Sequence, residues 1–280
     1  MPPTARVGDK SVCPLHGAGI IQPPGALTVS ANSMPTARVT DRLLCAGGIV
    51  DFIVTGSSGV EIAGLPAARV GDKTLHGGTI TTGSGDVNAG GVTVGGMLGF
   101  PAAWRQTFDA EATGRASGKP QQTYGNCAVE SSRALVLANG GTVAEPAALD
   151  WAIANGLADA DANPSARGGT SPDGRQTILA HDGVASHQED ATSANLSQAV
   201  AEGRGVITSH DAGKLWGDNT VGGHAITVIG LQYGANRQIS DVITNDTGLG
   251  VGERSVPATQ FFDSLRPGRP MNVSNSPLKR

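Results

Sequence analysis

The sequence predicts two domains of different class, an all-β unit in the first third and an α+β domain behind it. Three observations carry this. A segment beginning with proline recurs at Pro3, Pro35 and Pro66, and between its copies lie short β-branched runs broken by Gly and Ser. From residue 128 to 138 apolar residues run free of Gly and Pro, which predicts a helix ended by Gly140-Gly141. After it, a helix-to-strand pattern over 195–207 and the β runs 224–231 and 239–244 complete a mixed domain.

The 280 residues suffice for two modest domains. Hydrophobic residues make up 39%, enough for real cores, and the 41 glycines, interleaved with Val, Ile and Leu, signal tight turns rather than disorder. A net charge of −4 gives no basic face for nucleic acid. No window approaches the roughly 18 apolar residues of a membrane span. Met1-Pro2-Pro3-Thr4 has no apolar h-region, so the chain is expected to be made in the cytoplasm without a secretory signal. Its three cysteines, an odd number, point to metal ligands or a nucleophile rather than a disulfide framework.

The three copies align without gaps. Pro3-Thr4-Ala5-Arg6-Val7-Gly8-Asp9-Lys10 leads to Cys13, Pro35-Thr36-Ala37-Arg38-Val39-Thr40-Asp41-Arg42 to Cys45, and Pro66-Ala67-Ala68-Arg69-Val70-Gly71-Asp72-Lys73 to His76. In each, the residue ten after the proline is a Cys or His. With His16 they make a Cys2His2 set suited to a closed tetrahedral zinc site that would staple hairpins from three repeats. Of the pair Cys13 and His16, either could sit behind the other in the second shell. Thr40 stands where the other copies have Gly8 and Gly71, which predicts an altered turn in the second copy.

These motifs, together with Cys13-Pro14-Leu15-His16-Gly17 and Leu75-His76-Gly77-Gly78, resemble the PAAR family over roughly residues 1–95. The resemblance implies a cone of β-hairpins with a structural zinc near its point, seated on a trimeric VgrG spike of a type VI secretion system. It also implies that the domain fused behind the cone is delivered cargo, secreted without a signal peptide into a rival bacterial cell, the cytoplasm more than the periplasm. Residues 1–96 form this unit and 97–119 a linker, with a short helix over 102–112 that sets Trp104 and Phe108 one turn apart.

In residues 120–280 the chemistry centres on Cys127. At the start of the predicted helix, unpaired N–H groups and the helix dipole favour its thiolate. His224, in Gly222-Gly223-His224-Ala225 ahead of a strongly β run, is the expected base. His181, His187 and His210 lie in polar, loop-like surroundings and read as solvated surface. A strand-end residue, Asp246 with Asn245 as the alternative, would orient the base. Gln121 and the Cys127 N–H would hold an oxyanion. Pro267 to Arg280 reads as a loose, polar, Pro-rich tail.

The order Gln121, Cys127, His224, Asp246 resembles the papain-like clan, nearest to the bacteriocin-processing peptidases of ABC transporters, over about residues 120–265. Where many relatives have Gly after the nucleophile this chain has Ala128. The resemblance implies a papain-like fold and a cysteine peptidase needing no cofactor for catalysis, acting on a target-cell protein at Gly-Gly-like bonds. A cognate immunity protein would protect the producer. Gly90-Gly91 and Gly95-Gly96 raise self-cleavage as a further expectation. The alternatives are side-chain amide chemistry of the deamidase or transglutaminase kind with the same triad, or a non-catalytic spike-tip adaptor.

Overall fold

The computed structural model describes residues 1–95, 97–99, 125–163, 167–234, 238–248 and 251–278. The linker helix with Trp104 and Phe108, and Gln121, lie outside the described residues. Contacts divide the chain into two compact units, residues 1–98 with 231–240, and 99–230 with 241–280.

The first unit is built from short strands: β1 (Lys10–Cys13), β2 (Gly17–Ile21), β3 (Ala26–Ala31), β4 (Met34–Thr36), β5 (Arg42–Cys45), β6 (Val50–Phe52), β7 (Thr55–Ser57), β8 (Glu61–Ile62), β9 (Leu65–Pro66), β10 (Thr79–Ile80) and β11 (Thr93–Gly95). A further short strand, β12, spans Met97–Gly99. The largest sheet runs β10-β1-β2-β5-β6, all antiparallel.

The repeat closes on itself. Ala5 donates its N–H to the carbonyl of Ala68, Ala68 to Ala37, and Ala37 to Ala5, at 2.8–2.9 Å. A second ring joins Val7 to Pro35, Val39 to Pro66 and Val70 to Pro3. Alanine suits the inner ring because a larger side chain would hold three backbones apart. Ala5, Ala37 and Ala68 are fully buried with Ile21, Ile53, Ile80 and Leu43. Each repeat arginine pairs with the aspartate three residues on, Arg6–Asp9, Arg38–Asp41 and Arg69–Asp72, at 3.0–3.1 Å. Each guanidinium also donates to a loop carbonyl, that of Gly83, Gly25 or Gly56 respectively.

The second copy's turn is not altered. Thr40 holds φ +76°, beside +88° at Gly8 and +93° at Gly71. Its N–H donates to Ile53 at 2.8 Å as Gly8 donates to Ile21 and Gly71 to Ile80. The hydrogen-bonded frame imposes the left-handed backbone, and a β-branched residue there bears the strain.

In the second unit the helices are α1 (Cys127–Ala138), α2 (Glu145–Ala154), α3 (Pro172–His181), α4 (Ser193–Ala201), α5 (Ala212–Trp216) and α6 (Ala258–Ser264). The strands are β13 (Ser186–Glu189), β14 (Val206–Asp211), β15 (Gly223–Tyr233), β16 (Ile239–Asp246), β17 (Val251–Pro257) and β18 (Met271–Ser274), in the sheet order β13-β18-β14-β15-β16-β17. Helix α1 is buried on nearly every side, and its charged residues Glu130 and Arg133 are buried as an ion pair at 2.9 Å. Val129 packs with Leu149, Ala152 and Ile178. Ser131 donates to the carbonyl of Ala225 at 3.1 Å, and Thr227 donates back to that of Ser131 at 3.3 Å, tying α1 to β15.

Residues 267–278, the described part of the expected tail, are not loose. Met271–Ser274 is buried throughout and pairs with β13 on one side and β14 on the other. The polar composition misleads because Asn272 is satisfied inside, accepting from Arg175 Nε at 2.7 Å and donating to the Pro172 carbonyl at 2.9 Å.

Candidate functional site

Two clusters stand out, one in each unit. In the first, Sγ or ring-nitrogen atoms of Cys13, His16, Cys45 and His76 all lie within 4.8 Å of one another. Cys13 ends β1 and Cys45 ends β5, while His16 lies in the β1–β2 turn and His76 in the loop before β10. Cys13 Sγ and His16 Nδ1 are 3.6 Å apart, which is about the edge of a tetrahedron with ordinary Zn–S and Zn–N bond lengths. All four are thus close enough to share one ion. Burial, the Asp51 carboxylate and Cys13 push the Cys45 thiol up to about 12. A divalent cation at the centre would supply the positive charge that two thiolates require. Asp51, which sequence reading passed over, is fully buried on β6 and accepts from the N–H of His76 at 3.0 Å. It steers the His76 loop toward the cluster. The donor set therefore fits a closed metal site.

The second cluster gathers Cys127, His224 and Asp246. Cys127 is the first residue of α1, where backbone N–H groups have no partner inside the helix. Its Sγ accepts from the Ala225 N–H at 3.3 Å, and His224 is near enough to lower the thiol pKa. His224 Nε2 bonds Asp246 Oδ1 at 2.7 Å. Strand β15 carries His224 and its neighbour β16 carries Asp246, so pairing of adjacent strands sets that distance. Asp246 also accepts from Trp216 Nε1 at 2.8 Å and the Gly248 N–H at 3.1 Å. Asn245, one residue earlier and so directed to the other face, is buried and makes no hydrogen bond to the ring.

Burial alone would push the Cys127 thiol up. The hydrogen bond and charge of His224, the Ala225 N–H and the charge of Arg175 outweigh it, and the thiol lies below its ordinary range. For His224 burial disfavours the charged ring. The bonds to Asp246 and Cys127 prevail and raise it to about 10. Asp246 is held below the usual carboxylate range despite its burial, by His224, Trp216 and Arg254. Cys127 and His224 thus favour a thiolate–imidazolium pair.

Three contributors carry no sequence signal of their own. Trp216 donates to Asp246 and lays its ring against that of His224, centroids 4.8 Å apart. Gly248 leaves room for that ring, since a Cβ there would sit 2.8 Å from His224 Cε1. Arg175, in the middle of α3, is 1% exposed and faces the same cleft as Cys127. His210 is also not surface. It lies fully buried on β14 opposite His224, bonded to Ser264 and Thr208 at 2.8 Å each, and burial holds it at about 3 and so neutral. It makes no contact with Cys127 and is no competing base.

The cleft, about 510 Å³, is lined by Cys127 and His224, by Gly156–Asp159 and Gly169–Ser171, and by three arginines. Among the described residues no helix is long and apolar enough to cross a membrane.

A search of curated protein sequences gives no match. Among solved structures, a C39-like peptidase from Bacillus anthracis is similar at 15% identity and a TM-score of 0.42, over 55% of this chain and 90% of that one. A family model described as PAAR motif matches residues 14–82, the stretch that holds His16, Cys45, His76 and the second and third repeats.

Proposed function

We propose that this chain is an effector of a type VI secretion system. In this reading residues 1–96 are a zinc-bearing tip that binds a VgrG spike, 97–119 a linker, and 120–280 a cysteine peptidase toxin. The toxin acts on a protein of a rival bacterium, and the producer carries an immunity protein against it. The PAAR motif match supports delivery. The observation that carries the peptidase reading is the Cys127–His224–Asp246 constellation opening on a cleft. Zinc, held by Cys13, His16, Cys45 and His76, would supply structural rigidity at the tip and no chemistry in the cleft.

The step is nucleophilic acyl transfer. The Cys127 thiolate attacks a carbonyl carbon, and the oxygen gains the charge. The Cys127 N–H and Gln121 donate to that oxygen. The His224 imidazolium gives its proton to the leaving amine, releasing it and leaving an acyl-thioester. Neutral His224 then takes a proton from water, whose oxygen displaces the thiolate. Asp246 holds the ring in the tautomer with Nε2–H turned away from the thiol. Gly-Gly-like bonds are the proposed target.

The test expresses the full chain in bacteria as wild type and Cys127→Ala, and maps new protein termini by mass spectrometry. Wild-type growth arrest with new termini, both absent from the variant, is expected. Arrest with mass shifts of about one dalton and no new termini would replace cleavage by deamidation. Arrest retained by Cys127→Ala would remove the catalytic reading.

A further inference from the structure

The cleft that holds the thiol has a cationic lining, and the nucleophile's chemistry does not require that. Arg175 is buried, yet its partners are neutral: Asn272 Oδ1 at 2.7 Å, Ser209 Oγ at 2.9 Å and the Pro270 carbonyl at 3.5 Å. Those bonds use three of its five N–H donors. Among the described residues no carboxylate pairs with it. A buried guanidinium without a counter-ion is costly, and this one lies close enough to Cys127 to favour its thiolate.

Two more arginines converge there. Arg266-Pro267-Gly268-Arg269 is a tight turn, closed by Arg269 N–H to the Arg266 carbonyl at 3.2 Å, with Gly268 at φ +67°. Pro and Gly in those places suit a type II turn. The turn sets Arg266 and Arg269 on the rim of the cleft, both exposed and neither ion-paired among the described residues. Arg266 lies over Gly223, where a Cβ would meet its Nη1. Against these three cations the described lining holds one carboxylate, Asp159.

We infer that Arg175, Arg266 and Arg269 form an anion subsite that selects a substrate carboxylate beside the bond attacked by Cys127, namely an Asp or Glu side chain close to the scissile amide. The subsite rests on the peptidase reading for its substrate, but not for its existence. Guanidinium groups bind carboxylates in paired geometry, and Arg175 is held in place by α3 and β18 before any ligand arrives.

Two measurements on the full chain test it. The first compares alkylation of Cys127 by iodoacetate and iodoacetamide, which differ in the anion alone. The iodoacetate-to-iodoacetamide rate ratio should drop by about tenfold in the double variant Arg266→Gln/Arg269→Gln, and in the wild type as salt rises. Both substitutions are at exposed positions, so folding is not at stake, and Arg175→Lys checks the buried member. A ratio unmoved by the double variant would overturn the inference. The second uses peptide pairs differing only in Asp or Asn, or in a free or amidated C-terminus. Preference for internal Asp by about tenfold, lost in the double variant, supports the inference. Equal cleavage of the pair overturns it, and preference for a free C-terminus alone overturns the side-chain assignment. If neither peptide is cleaved, the peptidase reading falls and the alkylation ratio alone decides the subsite.

Discussion

His224 gives one nitrogen to Asp246, and its charge lowers the pKa of the Cys127 thiol. Trp216, Arg254 and the Gly248 N–H keep the carboxylate ionised and fixed. Replacing Asp246 with Asn removes the charge that raises the ring. A raised pKa keeps the imidazolium present until pH climbs through it. In Asp246→Asn the ring therefore loses its proton at lower pH, and the alkaline limb of the profile for alkylation of Cys127 by iodoacetate, an anion that the imidazolium attracts, should move down. Turnover should fall by about 10²–10⁴-fold. A profile with an unmoved alkaline limb would show that Asp246 does not set the ring's charge. The Cys, the His and the strand-end acid were legible in sequence because each follows a local pattern, a helix start, a glycine corner and a strand end. Trp216, Gly248 and Arg175 were not, since their roles come from distant segments meeting at one ring or one cleft.

Among the elements, the three repeat turns are the sharpest comparison the chain offers, because it contains its own control. Gly8, Thr40 and Gly71 make equivalent hydrogen bonds at left-handed φ, and only Thr40 has a side chain that opposes it. Thr40→Gly should stabilise the first unit by about 1 kcal/mol, after part of the relieved strain is lost to greater freedom in the unfolded chain. Calorimetry reads this as a rise in Tm, and a fall would mean that the threonine side chain makes a compensating contact. Sequence register showed the repeat but predicted a changed turn, because a β-branched residue at positive φ is rare. The same limit misread β18. Its four residues carry two buried polar side chains, and only their partners, Arg175 and the Gly205 N–H among them, make that burial tolerable.

For the whole molecule, the two units are held by different means. The first has a thin alanine and isoleucine core, and its cluster of two cysteines and two histidines joins segments far apart in sequence. The second has a helix buried on nearly every side against a sheet, and no such cluster among the described residues. Chelation at neutral pH should therefore melt the first unit, shown by loss of its calorimetric transition. The alkylation rate of Cys127 should stay unchanged. Cys45→Ser should act as the chelator does. A first-unit transition indifferent to both would mean that the four side chains are held by packing alone. The division into a repeat-built β unit and a mixed domain was plain from composition and periodicity. The arginine-lined cleft wall was not, since it needs residues 175, 266 and 269 brought together.

Strand β18 also has a place in time. A ribosome makes it last of the described strands, yet in the sheet it lies between β13 and β14, both of which leave the exit tunnel earlier. Until residue 274 emerges, Val206 and Ile207 of β14 lack their neighbours on that side, and Arg175 lacks the Asn272 side-chain oxygen that holds it. Long-range pairings of this kind close late. A nascent chain stalled before β18 would thus carry the thiol, the imidazole and the carboxylate without a finished cleft.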